Sequence, residues 1–65
     1  MNIILNGEAR ALRGPTVADV LREIDMAEAR VATALNGNFL PASLRATTAL
    51  KDGDALEVLS SMQGG

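Results

Sequence analysis

With 65 residues the chain can form one small domain, and it contains no Cys and no His, which excludes disulfides and removes the commonest general base and metal ligands. Its net charge of -2 and its single aromatic residue, with no Lys/Arg run, do not indicate a protein that binds nucleic acid. It has no apolar segment of membrane-spanning length and no secretory signal, so we expect a cytoplasmic protein that is not an enzyme and does not bind membranes.

The first predicted elements form a β-hairpin. Ile3-Ile4-Leu5 is a short, apolar, β-branched run, and Asn6-Gly7 is a pair that favours the positive backbone angles of a two-residue turn. The second strand is predicted from about Glu8 to Leu12. Gly14-Pro15 then ends this strand.

The next predicted element is an amphipathic helix. Thr16 is a good N-cap, and Asp19 stands three residues later in the place of a capping-box partner. We expect the helix to end near Asp25 or Met26. Its apolar residues recur at the i, i+3, i+4 and i+7 spacing of one helix face: Val17, Val20, Leu21 and Ile24.

A second hairpin follows the helix. Val31 to Leu35 has the composition of a strand, and Asn36-Gly37 repeats the hairpin-turn signal. Asn38 to Leu40 is predicted as a short return strand that ends before Pro41. Residues 42–49 show no regular pattern.

The last predicted strand runs from Ala55 to Ser60. Alternation places Leu56 and Val58 toward the core and leaves Leu59 on the opposite face. The preceding segment, Lys51-Asp52-Gly53-Asp54, could begin a calcium loop. The other ligands of such a loop are missing at the required spacing, so we favour an ordinary turn.

These elements predict an α+β fold in which one main helix covers a mixed sheet. By analogy this is a β-grasp, or ubiquitin-like, fold with the first and last strands parallel at the centre. We place the domain at residues 1–61 and a flexible tail at residues 62–65, because the tail has little side chain to bury. The expected core consists of Ile3, Leu5, Val17, Val20, Leu21, Ile24, Leu50, Leu56 and Val58, with Val31 or Leu35 contributing.

The sequence ends on Gly64-Gly65, a slim segment that carries the backbone carboxylate. Two final glycines arise by chance in about 0.5% of chains, so the motif is informative only together with the domain before it. Glycine fits backbone conformations and narrow spaces that other residues cannot enter. A carboxylate on such a tail is suited to insertion into the closed active site of a partner enzyme.

In their order and spacing the motifs resemble the ubiquitin-like sulfur carriers, most closely the ThiS family of thiamine biosynthesis. The small subunit of molybdopterin synthase shares the Lys-Asp-Gly-Asp turn and the diglycine ending. The resemblance covers essentially the whole chain and is carried by Met1-Asn2-Ile3, Asn6-Gly7-Glu8, the helix from Thr16, Val31 to Gly37, Leu40-Pro41, Leu50 to Asp54 and Gly64-Gly65.

The resemblance implies that a partner enzyme, an E1-like (ThiF-like) adenylyltransferase that uses ATP and Mg²⁺, adenylates the carboxylate of Gly65. A sulfur donor such as a cysteine desulfurase would then convert it to a thiocarboxylate, and a ThiG-like thiazole synthase would accept the sulfur. The chain would bind no cofactor or metal and supply no catalytic residue. Gly64 and Gly65 would be the sulfur-carrying end, with Leu59, Met62 and Gln63 docking the partner.

Three function classes remain open from the sequence. The first is a sulfur carrier for thiazole formation. The second is a carrier for molybdopterin or another pathway, or a ubiquitin-like modifier that is joined to lysines. The third is a small binding module in which the diglycine is incidental. Ser60 and Ser61 are not favoured as nucleophiles, since the chain offers no His or other adjacent base.

Overall fold

The structure is a computed structural model that describes residues 1–60. Residues 61–65 lie outside the described part. The predicted domain boundary, the predicted flexibility of the tail and four predicted site residues therefore also lie outside it: Met62, Gln63, Gly64 and Gly65. The elements in chain order are β1 (Asn2–Leu5), β2 (Glu8–Ala11), α1 (Val17–Glu23), β3 (Val31–Leu35), β4 (Asn38–Leu40), a 3₁₀ helix (Ala42–Leu44) and β5 (Ala55–Ser60).

The five strands form one mixed sheet in the order β2-β1-β5-β3-β4. β1 and β5 are parallel neighbours at the centre, with Leu5 opposite Leu56, and the other neighbouring pairs are antiparallel. This arrangement confirms the predicted β-grasp fold. The central position of β5 means that the strand leading to the end of the chain is paired on both sides.

Both Asn-Gly pairs make the predicted hairpin turns. Asn6 and Gly7 have φ values of 49° and 84°, and Asn36 and Gly37 have φ values of 50° and 85°. Such positive angles twist the turn in the sense that two antiparallel strands require, and Asn and Gly adopt them most readily. The same turn chemistry therefore joins β1 to β2 and β3 to β4.

The helix begins as predicted but ends earlier than expected. Thr16 Oγ1 accepts from the Asp19 N–H at 3.1 Å and Asp19 Oδ2 accepts from the Thr16 N–H at 3.1 Å, which completes the capping box. The last helical residue is Glu23, because Asp25 has a left-handed φ of 65°. The Met26 N–H then bonds the Leu21 carbonyl at 2.7 Å, closing the helix in a Schellman motif.

The core differs from the sequence prediction at two positions. Ile24 is only half-buried because it lies at the C-cap, where the helix has ended. Leu40 was not expected in the core, but its register opposite Thr33 turns it inward. The buried apolar residues are Ile3, Leu5, Val17, Val20, Leu21, Leu40, Leu50, Leu56 and Val58, with Val31 and Leu35 packed beside them.

The segment predicted to be irregular has some regular structure. Residues 42–44 form the 3₁₀ helix, and Ala49 pairs with Thr16 in an isolated antiparallel bridge. The Val17 N–H donates to the Thr48 carbonyl at 3.0 Å and the Leu50 N–H donates to the Pro15 carbonyl at 2.7 Å. These bonds tie the start of α1 to the loop, so that Leu50 can reach the core.

Candidate functional site

The end of β5 is the base from which the predicted sulfur-carrying segment starts. Ser60, the last described residue, lies opposite Val31 of β3. Of the predicted site residues, Leu59 is described, and 63% of it is exposed on the face opposite the core. The structure therefore places one predicted docking residue on the surface next to the tail base, and Met62, Gln63, Gly64 and Gly65 lie outside the described residues.

The outer face of the sheet, here called the open face, is rich in apolar residues. Partners in register across antiparallel strands share a face, so Ala32 lies beside Leu59, and Ala34 lies between Phe39 and Glu57. The exposed fractions of the large apolar residues on this face are 38% for Ile4, 71% for Phe39 and 63% for Leu59. Small alanines between them leave a shallow surface.

Sequence reasoning missed Phe39 as part of this face. It did not place the residue in the core or at the site. Alternation puts Phe39 and Leu40 on opposite faces of β4, but which of the two points inward depends on the pairing of β4 with β3. Exposed apolar groups of this size that lie together mark interaction sites more often than scattered ones do. Glu57 is a charged residue in an outward position of β5, so the open face is apolar with an acidic group within it.

The turn before β5 is held by carboxylates. Asp54 is buried, with 5% exposure, and accepts hydrogen bonds from the Lys51 N–H at 2.9 Å and from Asn36 Nδ2 at 3.1 Å. The hydrogen bond from the Asn36 amide, followed by that from the Lys51 N–H, lowers the pKa of Asp54 below its ordinary value. Asp52 Oδ1 accepts from the Asn2 N–H at 2.7 Å.

These bonds support the interpretation of residues 51–54 as an ordinary turn. The carboxylates of Asp52 and Asp54 satisfy backbone and amide donors, as turn carboxylates commonly do. Across residues 1–60 the structure contains no group of three or more His, Cys, Asp or Glu side chains arranged to hold a metal ion.

Two asparagines contribute hydrogen bonds that sequence reasoning did not anticipate, since it assigned them only to turns. The amide of Asn6 bonds both backbone groups of Val58, and the amide of Asn36 bonds the Ala55 N–H and the Asp54 carboxylate. Both asparagines thus bind the segment formed by Asp54 and β5. No local pattern predicts which distant backbone a turn amide will reach.

The start of β3 is hydrogen-bonded to the side chain of Arg45, which directly follows the 3₁₀ helix. Arg45 donates from Nη2 to the Val31 carbonyl at 2.7 Å and from Nε to Thr33 Oγ1 at 3.0 Å. Thr33 is the buried hydroxyl of the sheet, and it donates in turn to the Leu40 carbonyl at 2.8 Å. Since Val31 lies opposite Ser60, this network also steadies the strand that flanks the tail base.

None of the helices within residues 1–60 has the length and apolar character needed to cross a bilayer.

Comparison with known proteins gives matches along the whole chain. The model of the ThiS family matches residues 3–65. The sulfur carrier protein ThiS of Thermus thermophilus is 41% identical over 61 residues, which cover 94% of this chain and 95% of that protein.

Solved structures of a thiamine biosynthesis protein (ThiS) from Geobacter metallireducens have the same fold. The crystal structure has a TM-score of 0.84 at 36% identity and covers the full length of both chains. The solution structure has a TM-score of 0.79 at 35% identity and covers all of this chain and 88% of that one.

Proposed function

The chain belongs to the ThiS family, and from that premise we propose that it carries sulfur as a C-terminal thiocarboxylate on Gly65 for thiazole formation in thiamine biosynthesis. The match that reaches from residue 3 to the diglycine end is the observation that carries this proposal. The names of the relatives from Thermus and Geobacter support both the sulfur-carrier role and the thiamine pathway.

The fold suits this task because the tail follows β5, the central strand, which is paired with β1 on one side and β3 on the other. Five residues follow Ser60, and fully extended they span about 17 Å. That reach is sufficient to enter a partner's active site while the folded body remains outside. In this proposal β5 takes part in docking, and the short segment beyond it enters the partner's active site.

The chemistry begins with a group that is ionised at neutral pH. A terminal carboxyl group has a pKa near 3.5, so its oxygen can attack the α-phosphate of ATP and release pyrophosphate. The resulting acyl-adenylate is a good electrophile because AMP is a good leaving group. Attack by the terminal sulfur of a persulfide releases AMP and forms an acyl disulfide, and a thiol then cleaves the S–S bond to leave the thiocarboxylate.

In this proposal the partners supply the catalytic groups. An E1-like (ThiF-like) adenylyltransferase binds ATP and Mg²⁺, a cysteine desulfurase or similar donor supplies the persulfide, and a ThiG-like thiazole synthase accepts the sulfur. The chain contributes a reactive end that travels between them as a co-substrate. Tethered sulfur of this kind does not diffuse away as free sulfide would.

We further propose the open face as the surface that docks these partners. Leu59 stands closest to the tail base. Phe39 lies on the same face two strands away, and Ile4 lies on it beside Ala55 at the start of β5. Interface centres favour large apolar and aromatic groups and are depleted in charge. Met62 and Gln63 would continue the contact from Leu59 toward the diglycine.

The test is reconstitution with the E1-like partner from the same organism. ATP–pyrophosphate exchange measures adenylation, and the intact mass after addition of the sulfur donor measures replacement of one oxygen by sulfur. Two variants leave residues 1–60 unchanged: one residue appended after Gly65, and Gly64→Val. We expect both to melt like the parent and to lose adenylation.

The appended residue moves the reactive carbon by about 3.5 Å, and a displacement near 1 Å can already cost about a hundredfold in rate. Gly64→Val adds a stiff β-branched side chain to a segment that must thread a narrow channel. If the extended protein, with its added residue verified by mass, is adenylated and thiolated as well as the parent, the proposed site is wrong.

A further inference from the structure

The side chain of Asn6 makes bonds that a hairpin turn does not require. The Asn6 N–H donates to the Leu56 carbonyl at 3.0 Å, as the parallel ladder between β1 and β5 demands. In a ladder that continued, the next two bonds would join the residue-6 carbonyl to the Val58 N–H and the residue-8 N–H to the Val58 carbonyl. The chain instead turns into β2 at Asn6-Gly7, so β1 ends before those bonds form.

The amide of Asn6 takes the place of both missing backbone groups. The Val58 N–H donates to Asn6 Oδ1 at 2.8 Å, and Asn6 Nδ2 donates to the Val58 carbonyl at 3.1 Å. The pairing of β5 with the β1 side is thereby extended from Leu56 to Val58, two residues before Ser60. Without this amide, the end of β5 would keep its ladder with β3 alone.

Asn36 makes a similar side-chain contact at the other end of the strand, but with one backbone group and one carboxylate. It occupies the same position of the same type of turn, with φ values of 50° for Asn36 and 49° for Asn6. Its Oδ1 accepts from the Ala55 N–H at 2.9 Å, and its Nδ2 donates to Asp54 Oδ1 at 3.1 Å. The two turn asparagines therefore hold opposite ends of β5, and only Asn6 holds the end next to the tail.

We propose that Asn6 is a positioning residue for the sulfur-transfer reaction, in which its amide fixes the end of β5 from which the reactive segment starts. This inference rests on the proposed carrier function. Leu59 follows Val58 directly, so the bonds to Val58 hold the docking side chain and the tail base in one arrangement. If the amide is lost, a partner that binds the folded body no longer finds the tail base in a fixed position.

The test compares Asn6→Gly with Asn36→Gly as its matched control. Glycine adopts the positive φ of the turn without strain, so each variant keeps the hairpin and loses only the side-chain amide. The kinetics of adenylation by the E1-like partner are measured well below both melting temperatures. Hydrogen exchange at the amides of Val58 and Ala55 reports the local effect of each change.

We expect both variants to melt below the parent, with faster exchange at Val58 in Asn6→Gly and at Ala55 in Asn36→Gly. Asn6→Gly should lower kcat by about tenfold or more, since misplacement of a reacting group costs rate steeply, while Asn36→Gly keeps the parental kcat. Asn6→Asp, which keeps the acceptor and the turn preference but loses the donor to the Val58 carbonyl, should also lower kcat.

The possible results separate this inference from the proposal on which it rests. If the parent is not adenylated, the carrier proposal fails and the inference fails with it. If the parent is adenylated but Asn6→Gly keeps its kcat, Asn6 serves the turn and stability alone, and only the inference is refuted. An equal fall of kcat in both glycine variants, or a change confined to KM, also refutes a positioning role specific to the tail end.

Discussion

One strand allows the same substitution to be tested on both faces of the sheet. Leu56 of β5 has no exposed surface, whereas Leu59, three positions later, is 63% exposed. Leu56→Ala should lower the free energy of unfolding by about 2–5 kcal/mol, because burial of the lost methyl groups is forfeited and a cavity remains. A domain of this length has a total of about 3–10 kcal/mol, so the substitution should remove a large fraction of the stability.

The assay is urea and thermal unfolding followed by far-UV circular dichroism. Each kcal/mol should move the melting temperature by about 4–8 °C in a domain of this size. Leu59→Ala is the control, and its free energy of unfolding should stay within about 0.5 kcal/mol of the parent value, as for other surface changes. A loss below about 0.5 kcal/mol in Leu56→Ala, or equal losses in the two variants, would refute the assignment of the two faces.

Three further outcomes follow from the described contacts. Leu59→Asp should weaken binding to the adenylyltransferase in a titration and leave the melting temperature unchanged, and an unaltered affinity would remove Leu59 from the docking surface. Thr16→Ala should cost about 1 kcal/mol of stability through loss of the N-cap bond, and no measurable loss would contradict the capping box. Because the folded-state pKa of Asp54 is lowered, the stability that it confers is present above about pH 4 and is lost as the pH falls through its folded value, so Asp54→Asn should flatten the acid limb of the stability curve.

The features that the sequence predicted correctly are those with a local physical cause. The Asn-Gly turns, the capping box at Thr16 and the bounds of β3, β4 and β5 each depend on neighbouring residues or on short-range alternation. The β-grasp topology came from analogy, and the structure confirms it. Eight of the nine buried apolar residues were predicted in the core, and all of these except Leu50 lie on strands or on the helix, where inward faces recur with the period of the element.

The features that the sequence did not predict depend on register or on distant partners. The helix ends at Glu23 because Asp25 takes a left-handed conformation, although the apolar spacing continues to Ile24. Leu40 is buried because of the strand opposite it, and the open face around Phe39 appears only when five strands are aligned. The Asn6–Val58 bonds join positions 52 apart, a distance over which no sequence pattern operates.

If the open face docks the partners as proposed, the two faces of β5 separate stability from recognition, whereas its two edges do not. The side chains of inward Leu56 and outward Leu59 lie on opposite faces, so a substitution at Leu59 can change that docking without altering the core. The backbone of the strand, however, is held from one edge by β1 with the Asn6 amide and from the other by β3. A substitution that loosens either edge near Val58, at the end of the strand, should act on stability and on the tail base together, and kinetics measured below the melting temperature are needed to separate the two effects.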